Sequence, residues 1–439
     1  MRRVRIGIIG AGSLVEGGVL PALSSAALLQ PPDEGAWWLK RPSSHVDIAY
    51  QAPCRAEVVA LCDADSERAH SVASAHRVRA VYADWRAMLA EVPLDVLMVA
   101  TEPVTTHKVL CDLGMRRFDG VAPWIWVAGP PALDAHAARE VARLHAHRAV
   151  WLARPLRWAS AHRAARLWLD RDEIGRLSAL GLRWSAPLFR PISVTRETRK
   201  DAQSTLSSNL VSAAAMPKTE AAVIPSINAP APHFASSFAA FDLVMGMASG
   251  RGEDGLRTPQ SVAAVEQSGS SAVLMKLSGG AVATVLFGAA DEWNAPLPRL
   301  ELVGEDGRFL VCESGRSVRL SQPREPSREV SLPGLSIAAP PAAVAGIIEE
   351  LKVFFALWSQ AASRHASVEI PQFADLRGAT PVLQAMEAAA EAARSGQTVS
   401  LTAVVEPTAE HMVAGRARGV AEASAGASGA ATATLPLQF

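Results

Sequence analysis

The first 23 residues constrain the chain most. Arg3 to Ile9 is an apolar run of strand length, Gly10-Ala11-Gly12 is a tight turn, and Gly17 to Leu23 begins a helix. That order opens a βαβ unit of the dinucleotide-binding kind. Gly10 permits the sharp turn, and a side chain at Gly12 would keep the backbone from approaching a pyrophosphate seated on the helix amides. Val15 stands where a third glycine would bring helix and strand together, so looser packing is expected there. The alternative is a strand-turn-helix that needs glycine only for its turn, and the regular alternation of elements that follows argues against it.

That alternation fills residues 1–155. A second strand, Ala56 to Asp63, follows an irregular Pro-, Trp- and Arg-containing insertion over residues 30–55. Next come a helix from Ser66, a short strand near Val78 to Tyr82, a helix from Asp84 and the apolar strand Leu94 to Ala100. A helix over Thr106 to Met115, a strand Trp124 to Ala128, a helix Asp134 to His147 and a strand Ala149 to Ala153 complete the unit. Strand and helix in strict turn predict a parallel sheet covered on both faces. Asp63 closes the second strand, where an acid can accept hydrogen bonds from an adenosine ribose and favours NAD over NADP; nearby Arg68 weakens that preference. It lies 51 residues after Gly12, and the insertion accounts for the excess over the usual ~20. The alternative role for Asp63 is a charge at the N-terminus of the following helix.

The 439 residues leave room for two domains and a tail. The 43 basic and 43 acidic residues cancel, so no global field draws the chain to nucleic acid or to anionic lipid, and a small, roughly neutral partner is the expectation. Cys54, Cys62, Cys111 and Cys312 are scattered, with no Cys/His cluster at metal-ligand spacing. Cys62 reads as a small core residue. No charged segment precedes a signal-like apolar stretch, and no apolar run approaches about 18 residues, so no membrane association and a cytoplasmic location are expected.

Residues 156–401 read as a second α/β domain. A helix spans Ala159 to Leu169 and a strand Leu177 to Pro187. Apolar runs at Ala263 to Gln267, Ala272 to Leu277, Val282 to Phe287, Leu300 to Val303, Arg308 to Cys312 and Ser317 to Leu320 form a meander, with Gly279-Gly280 and Asp306-Gly307 as turns. Helices follow at Ala342 to Ala362 and Asp375 to Arg394. Residues 189–232, rich in Ser, Ala, Thr and Pro, read as a lid or a disordered excursion, and residues 402–439 as a disordered tail. Ala272 to Leu277 and Val282 to Phe287 carry apolar residues at both parities, as if both sheet faces were covered, although one domain supplies helices for only one. A homo-oligomer, or a hetero-oligomer with an active relative, is therefore expected.

The runs Val4 to Leu23, Val58 to Ala69, Asp95 to His107 and Val150 to Arg157 resemble the glucose-fructose oxidoreductase / inositol dehydrogenase (Gfo/Idh/MocA) family. The resemblance continues through Asp172 to Leu177, Gly279 to Thr284, Leu300 to Gly307 and Ser395 to Leu401. It implies an N-terminal Rossmann domain joined to an α/β domain with an open, mostly antiparallel sheet, and NAD(P)-linked chemistry on a sugar or polyol. It further implies that Gly10, Gly12, Ser13, Leu14, Asp63, Thr101 and His107 contact the dinucleotide, with His107 on the nicotinamide side, and that a small carbohydrate-like ligand binds beside it.

Two departures bear on that chemistry. Where the family carries Glu-Lys-Pro after the fifth strand, this chain has Ala128-Gly129-Pro130, and glycine supplies no charge, donor or reach. The family pattern Asp-x-Gly-x-His-x-x-Asp falls on Ala235 to Asp242, where Ala239 replaces the histidine and Asp242 is the one acid retained. Substitutes are few. His233 could transfer a proton if its loop folded inward, but a solvated loop histidine is the commoner outcome. Lys108 is expected on the surface. Arg154 and Arg157 could grip an anion or simply bridge the two domains. The residues thus leave two readings: a nucleotide-binding protein that has lost or reassigned its chemistry, and a working NAD(P)-dependent sugar or polyol oxidoreductase using His107, His233 or Arg154.

Overall fold

The computed structural model describes residues 3–29, 55–118, 122–170, 173–184, 238–248, 259–267, 270–288, 298–305, 307–313, 317–322, 326–330, 342–364, 370 and 374–401. The irregular segments 30–54 and 189–232, His233, Asp306 and the tail 402–439 lie outside these residues.

Six parallel strands make the first sheet: β1 (Arg3–Ile9), β2 (Arg55–Cys62), β3 (Ala80–Tyr82), β4 (Val96–Val99), β5 (Trp124–Ala128) and β6 (Val150–Ala153). Their spatial order is β3-β2-β1-β4-β5-β6. The order reverses between β1 and β4, so a crevice opens beyond the carboxyl ends of these two strands. After β1 the chain makes a π-helical turn, Val15–Val19, before the short helix α1 (Leu20–Ser24). Val15, which stands where a third glycine would be, opens this wider turn with its side chain fully buried. Helices α2 (Ser66–His76), α3 (Trp85–Glu91), α4 (Pro103–Met115) and α5 (Ala135–Leu144) link the later strands. Asp65, Asp84 and Asp134 cap α2, α3 and α5, each accepting from an N–H of the first turn.

The chain then turns through α6 (Pro155–Trp158) and α7 (Ser160–Asp170) into the second sheet. Its members are β7 (Leu177–Trp184), β8 (Pro259–Gln267), β9 (Ser270–Leu277), β10 (Val282–Phe287), β11 (Arg299–Gly304), β12 (Phe309–Glu313), β13 (Ser317–Ser321), β14 (Arg328–Val330) and β15 (Val399–Ser400). They lie in the order β14-β13-β12-β11-β7-β10-β9-β8-β15, antiparallel except for β7 beside β10. Gly279 and Gly280, both at positive φ, turn β9 into β10. Helices α8 (Phe238–Ala248) and α10 (Ala379–Ser395) cover one face, where Val273, Met275, Leu277, Ala283, Val285 and Phe287 are buried. The alternate residues Leu274 and Val282 face outward and are exposed.

Helix α9 (Ala342–Arg364) does not stay with that sheet. Its Ile347, Leu351, Phe354 and Trp358 share one core with Ile6, Ile8, Val96, Met98, Trp126 and Trp151 of the parallel sheet. Phe354 meets the edges of Trp124 and Trp151 at centroid distances of 5.8 and 5.7 Å. The opposite face of the parallel sheet, under α4 and α5, runs on into the core of the second sheet. Both sheets belong to one compact unit, Met1–Leu401.

Candidate dinucleotide site

Three strand ends converge at the crevice. Gly10 N donates to Cys62 O at 2.7 Å, tying the turn after β1 to the end of β2. Gly10 has φ +104°, and a Cβ there would stand 2.3 Å from Ala100 O at the end of β4, so glycine is required by the fold itself. Gly12 is different. Its φ is not positive, and a Cβ there would meet no atom within 4 Å. Nothing among the described residues demands glycine at 12, and the space above it suits a group that approaches the backbone closely. Ser13 and Leu14, half-buried, continue the turn into the π-helical segment.

Asp63 is built into the same turn. Its Oδ2 accepts from Ala11 N at 2.7 Å, and its Oδ1 accepts from Asp65 N and from Arg68 Nη2, each at 2.9 Å. Burial works against the charged form, but the Arg68 guanidinium and the N–H donors of Asp65 and Ala11 outweigh it and hold the carboxyl below its usual range. Thr101, whose methyl lies beside Gly10, shares a hydroxyl hydrogen bond of 2.8 Å with Thr106 Oγ1. One residue further along α4 is His107, half-buried, with Cys111 Sγ 3.7 Å from its Nε2. Lys108 points to solvent, as its helical register predicts. Gly10, Gly12, Asp63 and Thr101 thus gather at one edge of the sheet, with α4 and His107 leading away from it.

Further along that edge the described residues offer little reactive chemistry. Gly129 leaves β5 at φ +93°, and a Cβ there would meet nothing within 4 Å. Ala239, on α8, is half-buried against the shared core. Arg154 leaves β6 beside Gly129, since Ala128 and Ala153 are paired. It is buried, with Nη1 donating to Asp242 Oδ1. Arg157 donates to the same carboxylate, Nε to Oδ2 and Nη2 to Oδ1, both at 2.7 Å, and from Nη2 to Asp242 O at 2.9 Å. Burial lowers Arg154 to about 10, which leaves it charged at neutral pH. The two arginines therefore bridge β6 and α6 to α8.

One member of this cluster escaped the sequence reading. Glu350, on α9, is completely buried; its Oε1 accepts from Trp151 Nε1 and from Arg154 N, both at 2.8 Å. Burial pushes its carboxyl up to about 8. The signal was present: residue 350 falls three after Ile347 and four before Phe354, on the apolar stripe of α9. His162 was also missed. It is fully buried, its Nδ1 donates to Leu156 O at 2.7 Å, and burial drops it to about 4. Cys62 is buried and its thiol is pushed up to about 12, in keeping with a core residue. Among the described residues no cluster of His, Cys, Asp and Glu could hold a metal ion, and no helix is long and apolar enough to cross a membrane.

No protein-family model matches the sequence, and no curated protein matches it. Solved structures do match the fold. An oxidoreductase domain protein from Kribbella flavida superposes with a TM-score of 0.64 at 13% identity, over 92% of this chain and 100% of its own. A levoglucosan dehydrogenase in complex with NADH and L-sorbose gives 0.60 at 15% identity, over 92% and 100%. A putative myo-inositol dehydrogenase from Sinorhizobium meliloti gives 0.57 at 16% identity, over 91% and 100%. With its six-stranded parallel sheet, its open mixed sheet and these matches along nearly its whole length, the chain has the fold of the Gfo/Idh/MocA-type dehydrogenases in a divergent form.

Proposed function

We propose that this chain binds a nicotinamide dinucleotide at the carboxyl edge of its parallel sheet and does not use it to oxidise sugars or polyols. The observation that carries the binding half is Gly12, a glycine that neither its backbone conformation nor packing among the described residues requires. In this reading Gly10, Gly12, Ser13 and Leu14 receive the pyrophosphate, Asp63 lies at the adenosine ribose, and Thr101 and His107 flank the nicotinamide half. The bound nicotinamide would supply a hydride acceptor or donor. NADH in the levoglucosan dehydrogenase complex supports the choice of cofactor class. A small carbohydrate-like ligand would sit beside it. Residues 1–155 form the dinucleotide domain and 156–401 the second domain, with α9 lent by the second to the sheet of the first, and 402–439 a tail. The cytoplasm is its expected location.

The noncatalytic half rests on what lines the edge beyond β5. Gly129 and Ala239 offer no proton donor or acceptor at their side chains, and Arg154 is buried with its Nη1 on Asp242. Loss of a positioned acid/base group costs ~100- to 10,000-fold, and loss of an electrostatic stabiliser about as much again. A typical turnover of ~10 per second would fall near the detection limit. A protein of this kind senses or carries the dinucleotide, or partners an active relative. Titration with NADH and NADPH, followed by nicotinamide fluorescence, should show saturable binding, and a panel of sugars and polyols with NAD and NADP should show no turnover. Robust oxidation of any polyol would overturn the noncatalytic reading, and His107→Ala would then identify whether that side chain carries it.

A further inference from the structure

We infer that Arg154 recognises the second ligand of this site through the Nε and Nη2 edge of its guanidinium, and that this ligand carries a carboxylate. The inference deepens the proposal above by naming the class of ligand that lies beside the dinucleotide. It departs from the roughly neutral partner that the overall charge balance suggests.

Two guanidiniums meet one carboxylate at this junction and use it differently. Arg157 lays its forked edge on Asp242, Nε to Oδ2 and Nη2 to Oδ1, both at 2.7 Å. Arg154 gives Asp242 only Nη1. Its own fork, Nε and Nη2, is buried without a hydrogen-bond partner among the described residues, and the side chain as a whole is 2% exposed. Buried donors of a cation are rarely left unpaired, because each has given up its bonds to water. Nε–H and one Nη2–H point the same way, at the spacing of the two oxygens of a carboxylate. The balance of charge agrees. One carboxylate set against two arginines leaves one positive charge over. Glu350 accepts from Arg154 N, but burial raises its carboxyl to about 8, so near neutral pH it is mostly protonated. Asp375 acts on Arg154 more weakly and is itself held by Arg377. A monoanion balances the surplus, whereas a phosphate monoester, with about two charges, overshoots it.

Arg154 also stands beside the positions that have lost their reacting groups. Ala153 pairs with Ala128, so Arg154 and Gly129 leave the sheet side by side, and a Cβ on Gly129 would meet none of the described residues within 4 Å. Ala239 lies three residues before Asp242 on α8, one turn away along the same face of the helix. Strand pairing thus joins Arg154 to position 129, and its bond to Asp242 joins it to position 239. The room left at Gly129 suits a small ligand whose carboxylate meets the fork.

Calorimetric titration of the wild-type protein, with and without NADH, compares D-gluconate with sorbitol and D-glucuronate with D-glucose, and includes glucose 6-phosphate. At least one acid should bind at least ~10-fold more tightly than its neutral counterpart and than the phosphate, the equivalent of one charge-assisted hydrogen bond. Arg154→Lys keeps a positive charge beside Asp242 but removes the fork, and should weaken that acid at least ~10-fold. Thermal melting checks that the variant is folded. If it is not, a crystal structure of the wild-type protein with the acid decides: a carboxylate across Nε and Nη2 of Arg154 supports the inference, and a carboxylate anywhere else overturns it. Neutral counterparts that match the acids, tighter binding of the phosphate, no binding of either acid, or an acid affinity unchanged in folded Arg154→Lys each overturn it too. A wild-type protein that binds an acid but neither NADH nor NADPH overturns the dinucleotide reading instead.

Discussion

Gly10 and Gly12 sit two residues apart in one turn and are glycine for different reasons. At Gly10 the backbone lies at positive φ and a Cβ would strike Ala100 O, so the requirement is internal. At Gly12 the protein leaves open the space a Cβ would take. Gly10→Ala should therefore destabilise the fold by several kcal/mol, since strain at a positive φ of this kind costs ~1–3 kcal/mol before the clash is counted. Gly12→Leu should leave the melting temperature nearly unchanged and abolish NADH binding. Calorimetry and fluorescence titration on the two variants separate the roles; unchanged affinity in Gly12→Leu would make the motif purely structural. Both glycines were legible in the sequence as a motif, but their division of labour depends on Ala100, 90 residues away, and on empty space, neither of which a local pattern contains.

At the scale of elements, the junction of β6, α6, α8 and α9 is held by buried charge. Asp242 pairs with both Arg154 and Arg157, and Glu350 anchors Trp151 and the backbone of Arg154. Such a cluster is costly to disrupt, because removing one partner strands the others in a low dielectric. It also titrates. The Glu350 carboxyl ordinarily ionises near 4.5, and burial raises it to about 8 in the folded chain. Between those values the folded protein holds a proton that the unfolded chain has released, so this group makes stability fall as pH rises through the window. The groups facing it are Arg154, which favours ionisation, and Asp242, which opposes it. In Glu350→Gln the amide oxygen can accept both hydrogen bonds and no proton is exchanged. The slope of melting temperature against pH should flatten across this range relative to the wild type; an unchanged slope would assign the pH dependence elsewhere.

At the scale of the whole molecule, the second sheet has one face packed and, among the described residues, apolar side chains exposed on the other. Val265, Leu274, Val282, Val303 and Phe309 are all exposed, and the register sets Val303 opposite Phe309. The expectation of apolar residues at both parities thus resolves into a core-facing set and an outward set. Apolar side chains spread over several neighbouring strands suit burial against another protein surface, and we propose that they join copies of this chain or join it to an active relative. Light scattering should give an oligomer at micromolar concentration, and Leu274→Asp with Phe309→Asp should convert it to monomer without unfolding it. A monomeric wild-type protein that recovers no partner from extract would remove the proposal.

Most of the strands, the helices between them and the turns at Gly10 and Gly279-Gly280 follow from patterns a few residues long, because alternation, helical periodicity and glycine at positive φ act locally. Parallel order in the first sheet follows from the same alternation, since each helix must carry the chain back before the next strand begins. The sequence by itself also determines that positions 129 and 239 carry no reacting group. Tertiary structure alone decided what the remaining polar residues do. Arg157 meets Asp242 across 85 residues and Trp151 meets Glu350 across 199, so their partners depend on how the chain closes. Helix α9 covers the first sheet although it lies in the second half of the chain, because a helix with an apolar stripe packs wherever the fold presents an uncovered face.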